Sequence, residues 1–251
     1  MANKMKKFLV FAFALTLLVI LASCGAKDGN ISNSKTSYLG EANSQEEPEN
    51  RKEPSSPNQA APPADSESNI LIAYFSRVGN TDFPDDIDAV SSASLLRKDG
   101  ELYGNTQYIA LLIQQATNGD LFLIETEEKY PVDYDETDTL GGKENRERSR
   151  PALVSHVDNL DDYDRIFLGF PNWYYDMPMA VYAFLEEHDL SGKTIIPFVT
   201  SGGSGFSNAV SAIQSIQPDA EVLTGGYKVT HSKVDSVNLA DIQEWLDGLD
   251  R

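Results

Sequence analysis

From residue 69 onward, short unbroken apolar runs alternate with longer stretches whose apolar residues recur every three or four positions. The runs cover 70–75, 121–124, 165–170, 194–200 and, more briefly, 221–223. Such short runs without polar alternation predict strands buried on both faces. The periodic stretches predict helices over 106–116, 178–187, 206–216 and 239–249. In the last, Leu239, Ile242, Trp245, Leu246 and Leu249 share one face. Asn118-Gly119 stops the first helix. Two brief runs, 94–98 and 101–103, flank Asp99-Gly100, a hairpin turn signal, so 82–103 form an excursion between first strand and first helix. Residues 130–151 are polar and carry Gly141-Gly142. Each glycine costs about 1 kcal/mol against Ala in a helix, so this stretch is predicted as a poor helix or a loop. The alternation predicts an α/β domain: a doubly wound, five-stranded parallel sheet in order 2-1-3-4-5. Ligands of such a sheet sit beyond the carboxyl ends of strands one, three and four.

The first 68 residues follow another pattern. Lys4, Lys6 and Lys7 precede an apolar core over 8–21, broken only by Thr16. That core is short for a membrane span of ~20 residues and reads as an export signal over 1–23. Leu21-Ala22-Ser23-Cys24-Gly25 resembles a bacterial lipobox, whose cysteine is lipidated and begins the mature protein. Cys24 is the sole cysteine, so an intrachain disulfide and a cysteine metal cluster are both excluded. Beyond Leu39 the chain has no aliphatic residue larger than Ala until Ile70, and it is rich in Ser, Asn, Glu and Pro. Residues 24–68 are therefore expected to be a disordered tether, roughly 35–40 Å long as a flexible coil. Residues 69–251 form one domain. The expected location is the cell envelope, outside the cytoplasm, with the lipid anchoring the chain to a bacterial membrane.

Charge narrows the partners. Three of the 20 basic residues and none of the 39 acidic ones precede Cys24, which leaves 17 against 39, a balance of −22. Nucleic acid, which needs a basic footprint, is excluded, as is a surface that hugs anionic lipid. A basic redox partner protein or a small-molecule electron acceptor remains compatible, as does solubility alone.

Three loops are expected at the ligand end of the sheet. The first is 76–81 with 104–106. Ser76, Asn80, Asn105 and Thr106 offer hydroxyl and amide donors, and the helix N-terminus adds free N–H groups, which together suit a phosphate. A plain turn with a helix cap would use the same residues. Thr106 is favoured over Thr81, which is followed by Asp82, Asp85 and Asp86. The second loop, Pro171-Asn172-Trp173-Tyr174-Tyr175-Asp176-Met177-Pro178, holds three consecutive aromatics suited to stacking on a flat ring, or to covering a core edge or facing a partner protein. The third, Thr200-Ser201-Gly202-Gly203-Ser204-Gly205, lets backbone approach a ligand and present bare N–H groups. His156, His188 and His231 lie in separate segments without ligand spacing, so no metal site is expected. Gly203-Ser204-Gly205 lacks the frame of a nucleophile elbow.

Residues 69–250 resemble the flavodoxin family, and more closely its branch with an N-terminal insertion, often carried on bacterial lipoproteins. The likeness rests on the strand into Ser76-Arg77, Gly104-Asn105-Thr106, the passage from Phe122 to Tyr130-Pro131, Gly169-Phe170-Pro171-Asn172-Trp173, Asp176-Met177-Pro178-Met179, and Pro197 through Phe206. It implies flavin mononucleotide (FMN), with the phosphate at Ser76, Asn105 and Thr106 and with Arg77 also among the cofactor-binding residues. The ring system would lie between Pro171, Asn172, Trp173 and Tyr174 on one side and Thr200, Ser201, Gly202 and Gly203 on the other. The family branch usually has a second Trp where Tyr174 stands and a His where Ser201 stands. The flavin would carry the electrons, so no catalytic side chain is expected. An acidic domain with aromatic walls disfavours added negative charge, which predicts a low potential for the flavin's last electron. The expected function is a membrane-tethered electron carrier. An FMN-dependent reductase of quinone-type acceptors using NAD(P)H is the alternative, with a flavin-free binding module as the third reading.

Overall fold

The computed structural model describes residues 69–89 and 94–249. The expected export signal, Cys24 and the tether lie outside the described residues. The chain runs β1 (Ile70–Tyr74), the hairpin β2 (Leu95–Lys98) and β3 (Glu101–Gly104), α1 (Asn105–Thr117), β4 (Asp120–Leu123), α2 (Tyr134–Glu147), β5 (Arg165–Pro171), α3 (Met179–Glu187), β6 (Thr194–Ser201), α4 (Ala209–Ile216), β7 (Glu221–Val222), β8 (Tyr227–Thr230) and α5 (Leu239–Leu249). One parallel sheet has the order β4-β1-β5-β6-β7, with β8 also paired to β6. This is the doubly wound α/β arrangement predicted.

Alternate residues of β1, and Phe75 just beyond it, feed two cores, as the period of a strand requires. Leu71, Ala73 and Phe75 pack with Val181, Phe184 and Ile213 of α3 and α4. Ile72 and Tyr74 pack with Ile109, Ile113 and Ile242 of α1 and α5. Gly169 of β5 is a close approach: a Cβ there would overlap the Phe198 ring on β6. Tyr74 pairs with Leu123 and Gly169, and Pro171 pairs with Thr200, so strand ends β1, β5 and β6 reach one rim.

Two expectations need correction. The fifth strand is split. β7 pairs with Thr194 and Ile195, and β8 resumes opposite Phe198 to Ser201. Between them stands Pro197, which has no N–H to give a ladder. A Cβ at Gly226 would overlap the Pro197 carbonyl oxygen, so glycine lets the chain pass this break.

The second correction is α2, a regular helix of 14 residues where a poor helix or loop was predicted. Asp133 caps it, accepting from the Glu136 N–H at 2.9 Å, and Asp135 and Glu136 complement its dipole. Its two glycines are packing surfaces. A Cβ at Gly141 would lie 3.1 Å from the Trp173 ring, and one at Gly142 would lie 2.7 Å from the Tyr174 ring and hydroxyl. Propensity yields here to contact with two aromatics. Gly142→Ala should therefore leave stability within about 0.5 kcal/mol of the parent, because displacing Tyr174 offsets the helical gain. In a Tyr174→Ala background the same change should stabilise by about 1 kcal/mol. Urea unfolding of the four proteins reads the difference.

His188 at the end of α3 is buried and neutral. Its Nδ1–H donates to the Phe184 carbonyl at 2.8 Å, and its Nε2 accepts from the Val157 N–H at 3.0 Å. Burial holds its pKa below the usual 6.5, and His156 pushes the same way; the Phe184 bond and Glu187 oppose them. The unfolded chain therefore takes the proton first. This contribution to stability is complete above pH 6.5 and is lost as pH falls from there through the folded pKa, at up to about 1.4 kcal/mol per pH unit. Unfolding of His188→Gln should show a flatter fall between pH 7.5 and 5.5 than the parent.

Candidate functional site

The loop after β1 is a tight turn, with Ser76 and Val78 extended and Gly79 at φ +95°. Asn80 fixes it. Its amide nitrogen donates to the carbonyls of Ser76 (2.9 Å) and Ile124 (3.0 Å). Its amide oxygen accepts from the Thr126 N–H (2.8 Å) and hydroxyl (3.0 Å). Asn80, expected among the phosphate donors, is instead consumed in tying the loop to the chain leaving β4. Gly104 closes the excursion: a Cβ there would overlap Ser76 Oγ, so the end of β3 rests on the loop. That contact sets Asn105 and Thr106 beside Ser76. The Asn105 N–H donates to the Ser94 carbonyl at 2.9 Å, and the Gly104 N–H to Gln107 Oε1 at 3.0 Å. Thr106 Oγ1 lies 2.9 Å from Thr200 Oγ1, joining the start of α1 to the end of β6.

Arg77 is only 2% exposed. Its Nη2 donates to the carbonyls of Pro131 (2.8 Å) and Val132 (3.0 Å), and its guanidinium carbon lies 5.0 Å from the Phe83 ring centre. Burial pulls its pKa below the usual range, against the nearby Tyr134 and Asp133, but a guanidinium stays charged. Among the described residues none forms an ion pair with it. Arg77 Nε and Thr81 Oγ1, both in this loop, are buried without a hydrogen-bond partner.

The second loop closes as a two-residue turn, with Trp173 and Asp176 exchanging backbone bonds at 2.9 Å. Tyr174 (φ +54°) and Tyr175 (φ +62°) are left-handed, a pair of positions that favours Asn-Gly and costs ~1–3 kcal/mol for each such residue. Buried Asp176 holds the turn, accepting from the Met177 N–H (2.9 Å) and the Tyr182 hydroxyl (3.0 Å). Trp173 stands edge-on to Phe75 and Tyr130, each centroid 5.4 Å away. Tyr130 in turn donates to Glu144 at 3.0 Å. Burial raises the Glu144 carboxyl above its usual range, and the Tyr130 hydroxyl partly opposes this. The Tyr174 hydroxyl donates to the Asp138 carbonyl of α2 at 2.5 Å.

In the third loop, Ser201 Oγ accepts from the N–H groups of Gly203 (3.2 Å) and Gly205 (3.1 Å). Those two donors, expected to be bare, are held within the loop. Asn172 bridges the second and third loops: its N–H donates to the Thr200 carbonyl and its Nδ2 to the Gly205 carbonyl, both at 2.8 Å.

The three loops enclose a cleft of about 310 Å³, walled on one side by α2. Of the predicted residues, Arg77, Pro171, Asn172, Trp173, Tyr174, Thr200, Ser201 and Gly202 line it. Ser76, Asn105 and Thr106 are buried in and beside the first loop and are not among the lining residues, and Gly203 lines an adjoining cleft. Tyr134, Thr137, Asp138 and Gly141 of α2 also line it, with Ser94 and His231. Sequence reasoning missed these. The acidic first turn after Asp133 was a usable signal for α2; His231 follows β8, a strand that the pattern did not reveal.

The flavodoxin family profile matches residues 100–249. The chain belongs to the flavodoxin family. Several solved structures are similar to it. A protein described as a flavoprotein from Bacteroides eggerthii is 27% identical, over 73% of this chain and 99% of that one, with a TM-score of 0.55. Another from Bacteroides uniformis is 28% identical, over 72% and 98%, with a TM-score of 0.55. A flavoprotein from Lactobacillus acidophilus crystallised with FMN is 19% identical, over 67% and 97%, with a TM-score of 0.46. Comparison with curated proteins gives no match.

A flavodoxin domain implies FMN, and the residues present fit it. The charged Arg77, which lines the cleft and has an unpartnered Nε, calls for an anion such as phosphate. Trp173 and Tyr174 give a flat ring an aromatic wall. Gly202, without a side chain, lets the opposite wall approach closely.

Proposed function

We propose that this flavodoxin-family protein binds FMN and carries electrons in the cell envelope, held to a bacterial membrane by a lipid on Cys24. The observation that carries the reading is the buried Arg77, which forms no ion pair among the described residues, lining a cleft that Trp173 and Tyr174 also line. When bound, FMN supplies a ring that accepts and returns electrons. The chain's own residues bind and orient it. Arg77, Ser76, Asn105 and Thr106 hold the phosphate by charge and hydrogen bonds. Trp173 and Tyr174 cover one side of the ring and exclude water there, while the turn at Thr200, Ser201 and Gly202 closes on it from the other. The excess of acidic residues supports a basic partner protein. The lysines, apolar core and Cys24 at the N-terminus support the tether.

Purified protein mixed with excess FMN and passed through a desalting column should emerge yellow, with about one flavin per chain. A colourless eluate would overturn the cofactor and leave the flavin-free binding module. Growth with labelled palmitate should mark the parent and spare Cys24→Ala; equal labelling would remove the anchor.

One observation favours a second reading. Tyr134 (47% exposed) and Tyr174 (43% exposed) line the cleft, leaving aromatic surface open to a flat acceptor. Sustained oxidation of NADH or NADPH by the FMN-loaded protein with a quinone would select the reductase; its absence selects the carrier.

A further inference from the structure

Beside the cofactor cleft lies a second, more open one of about 480 Å³, and Ser201 lines both. Strand register explains the pairing. Ser201 of β6 lies opposite Thr230 of β8. Thr230 faces the second cleft, whereas His231, the next residue, lines the first. The turn 203–207 supplies the rest of the second cleft, with Lys228 and Val229 of β8.

Its chemistry is opposite to that of the chain as a whole. Ser201, Ser204, Ser207 and Thr230 line it, and no carboxylate does. Lys228 is exposed and pairs with no carboxylate among the described residues; its Nζ lies 5.9 Å from the Phe206 ring centre. In a chain of 39 acidic and 20 basic residues, one free ammonium among hydroxyls makes a local spot that attracts anions. The loop around it is fixed from within. Ser201 holds the Gly203 and Gly205 N–H groups, and Asn172 holds the Gly205 carbonyl and Ser207 Oγ (3.2 Å).

We propose that this cleft seats the anionic group, a carboxylate or a phosphate, of a small molecule whose other end reaches the cofactor cleft across Ser201. The inference rests on the reading of the first cleft as the FMN site. Lys228 supplies the charge and the hydroxyls of Ser201, Ser204 and Thr230 supply hydrogen bonds, while the Ser207 hydroxyl donates to the Ser204 carbonyl and shapes the turn. A molecule held this way comes to the cofactor from the β8 side, across Ser201.

The test is an NMR titration of ¹⁵N-labelled, FMN-loaded protein with sodium acetate and, separately, with inorganic phosphate, against sodium chloride at matched ionic strength. Saturable shifts at the amides of Ser204, Ser207, Val229 and Thr230 are expected. The probe that saturates at the lower concentration identifies the group as carboxylate or phosphate. Lys228→Gln should weaken that binding about fivefold, the upper end for one exposed ion pair. Shifts that follow ionic strength alone, or that survive Lys228→Gln unchanged, would overturn the subsite. An unchanged flavin spectrum in Lys228→Gln shows that the first cleft is intact. If the parent takes up no FMN, the first reading fails, and the same titration without flavin still reports on the second cleft.

Discussion

Replacing Arg77 with Met should weaken FMN binding by about 30- to 150-fold, the worth of a charge-assisted hydrogen-bond set of about 2–3 kcal/mol. Riboflavin, which has the same ring and no phosphate, should lose less than about threefold. The contrast follows from what Arg77 lacks. Its guanidinium is buried and has two carbonyl partners, yet no carboxylate pairs with it and Nε makes no bond. A buried charge left in that state is costly, and a dianionic phosphate relieves it. Arg77→Lys should fall between the two, since an ammonium keeps the charge and loses the planar fork. Quenching of flavin fluorescence on titration gives each affinity. Equal losses for both flavins would show that Arg77 acts only by holding Pro131 and Val132.

Asn80→Ala should destabilise the fold by about 3 kcal/mol, because three buried hydrogen bonds go together and leave their partners unsatisfied. The partners left unsatisfied are the carbonyls of Ser76 and Ile124 and the N–H of Thr126; the Thr126 hydroxyl keeps the Glu128 carbonyl at 2.8 Å. Asn80→Asp keeps the two acceptor roles, loses both donor roles and buries a charge, so it should be at least as damaging. Unfolding by urea measures the loss. FMN affinity should fall as well, because the Ser76 carbonyl that Asn80 anchors belongs to the turn carrying Arg77. A variant of parental stability would mean that the loop is held elsewhere.

The sheet was legible because its signal is dense. Continuous apolar strands cannot be placed on a wet face, and the Asp99-Gly100 hairpin needed the left-handed angles that both residues show, φ +52° and +88°. The rim loops followed from strand order alone. What escaped was set by contacts distant in sequence. Gly141 and Gly142 read as weakness in a helix until Trp173 and Tyr174 are seen against them. β8 was hidden because its pairing with β6 resumes only past Pro197, after a gap that no local pattern announces. Ser201 had the composition of a flexible linker around it, whereas its hydroxyl organises the turn. Asn80 looked like a ligand because amides bind phosphate; only the positions of Ile124 and Thr126 reveal that its valences are filled.

The interrupted border at Pro197 bears on crowding. Strand addition needs a long, straight row of open backbone groups, and proteins that offer one are prone to fibre growth. Here one margin of the sheet presents runs of two and four residues, and the other, β4, presents four and begins with Asp120. With so little margin to zip onto, encounters between copies at high concentration should end in separation.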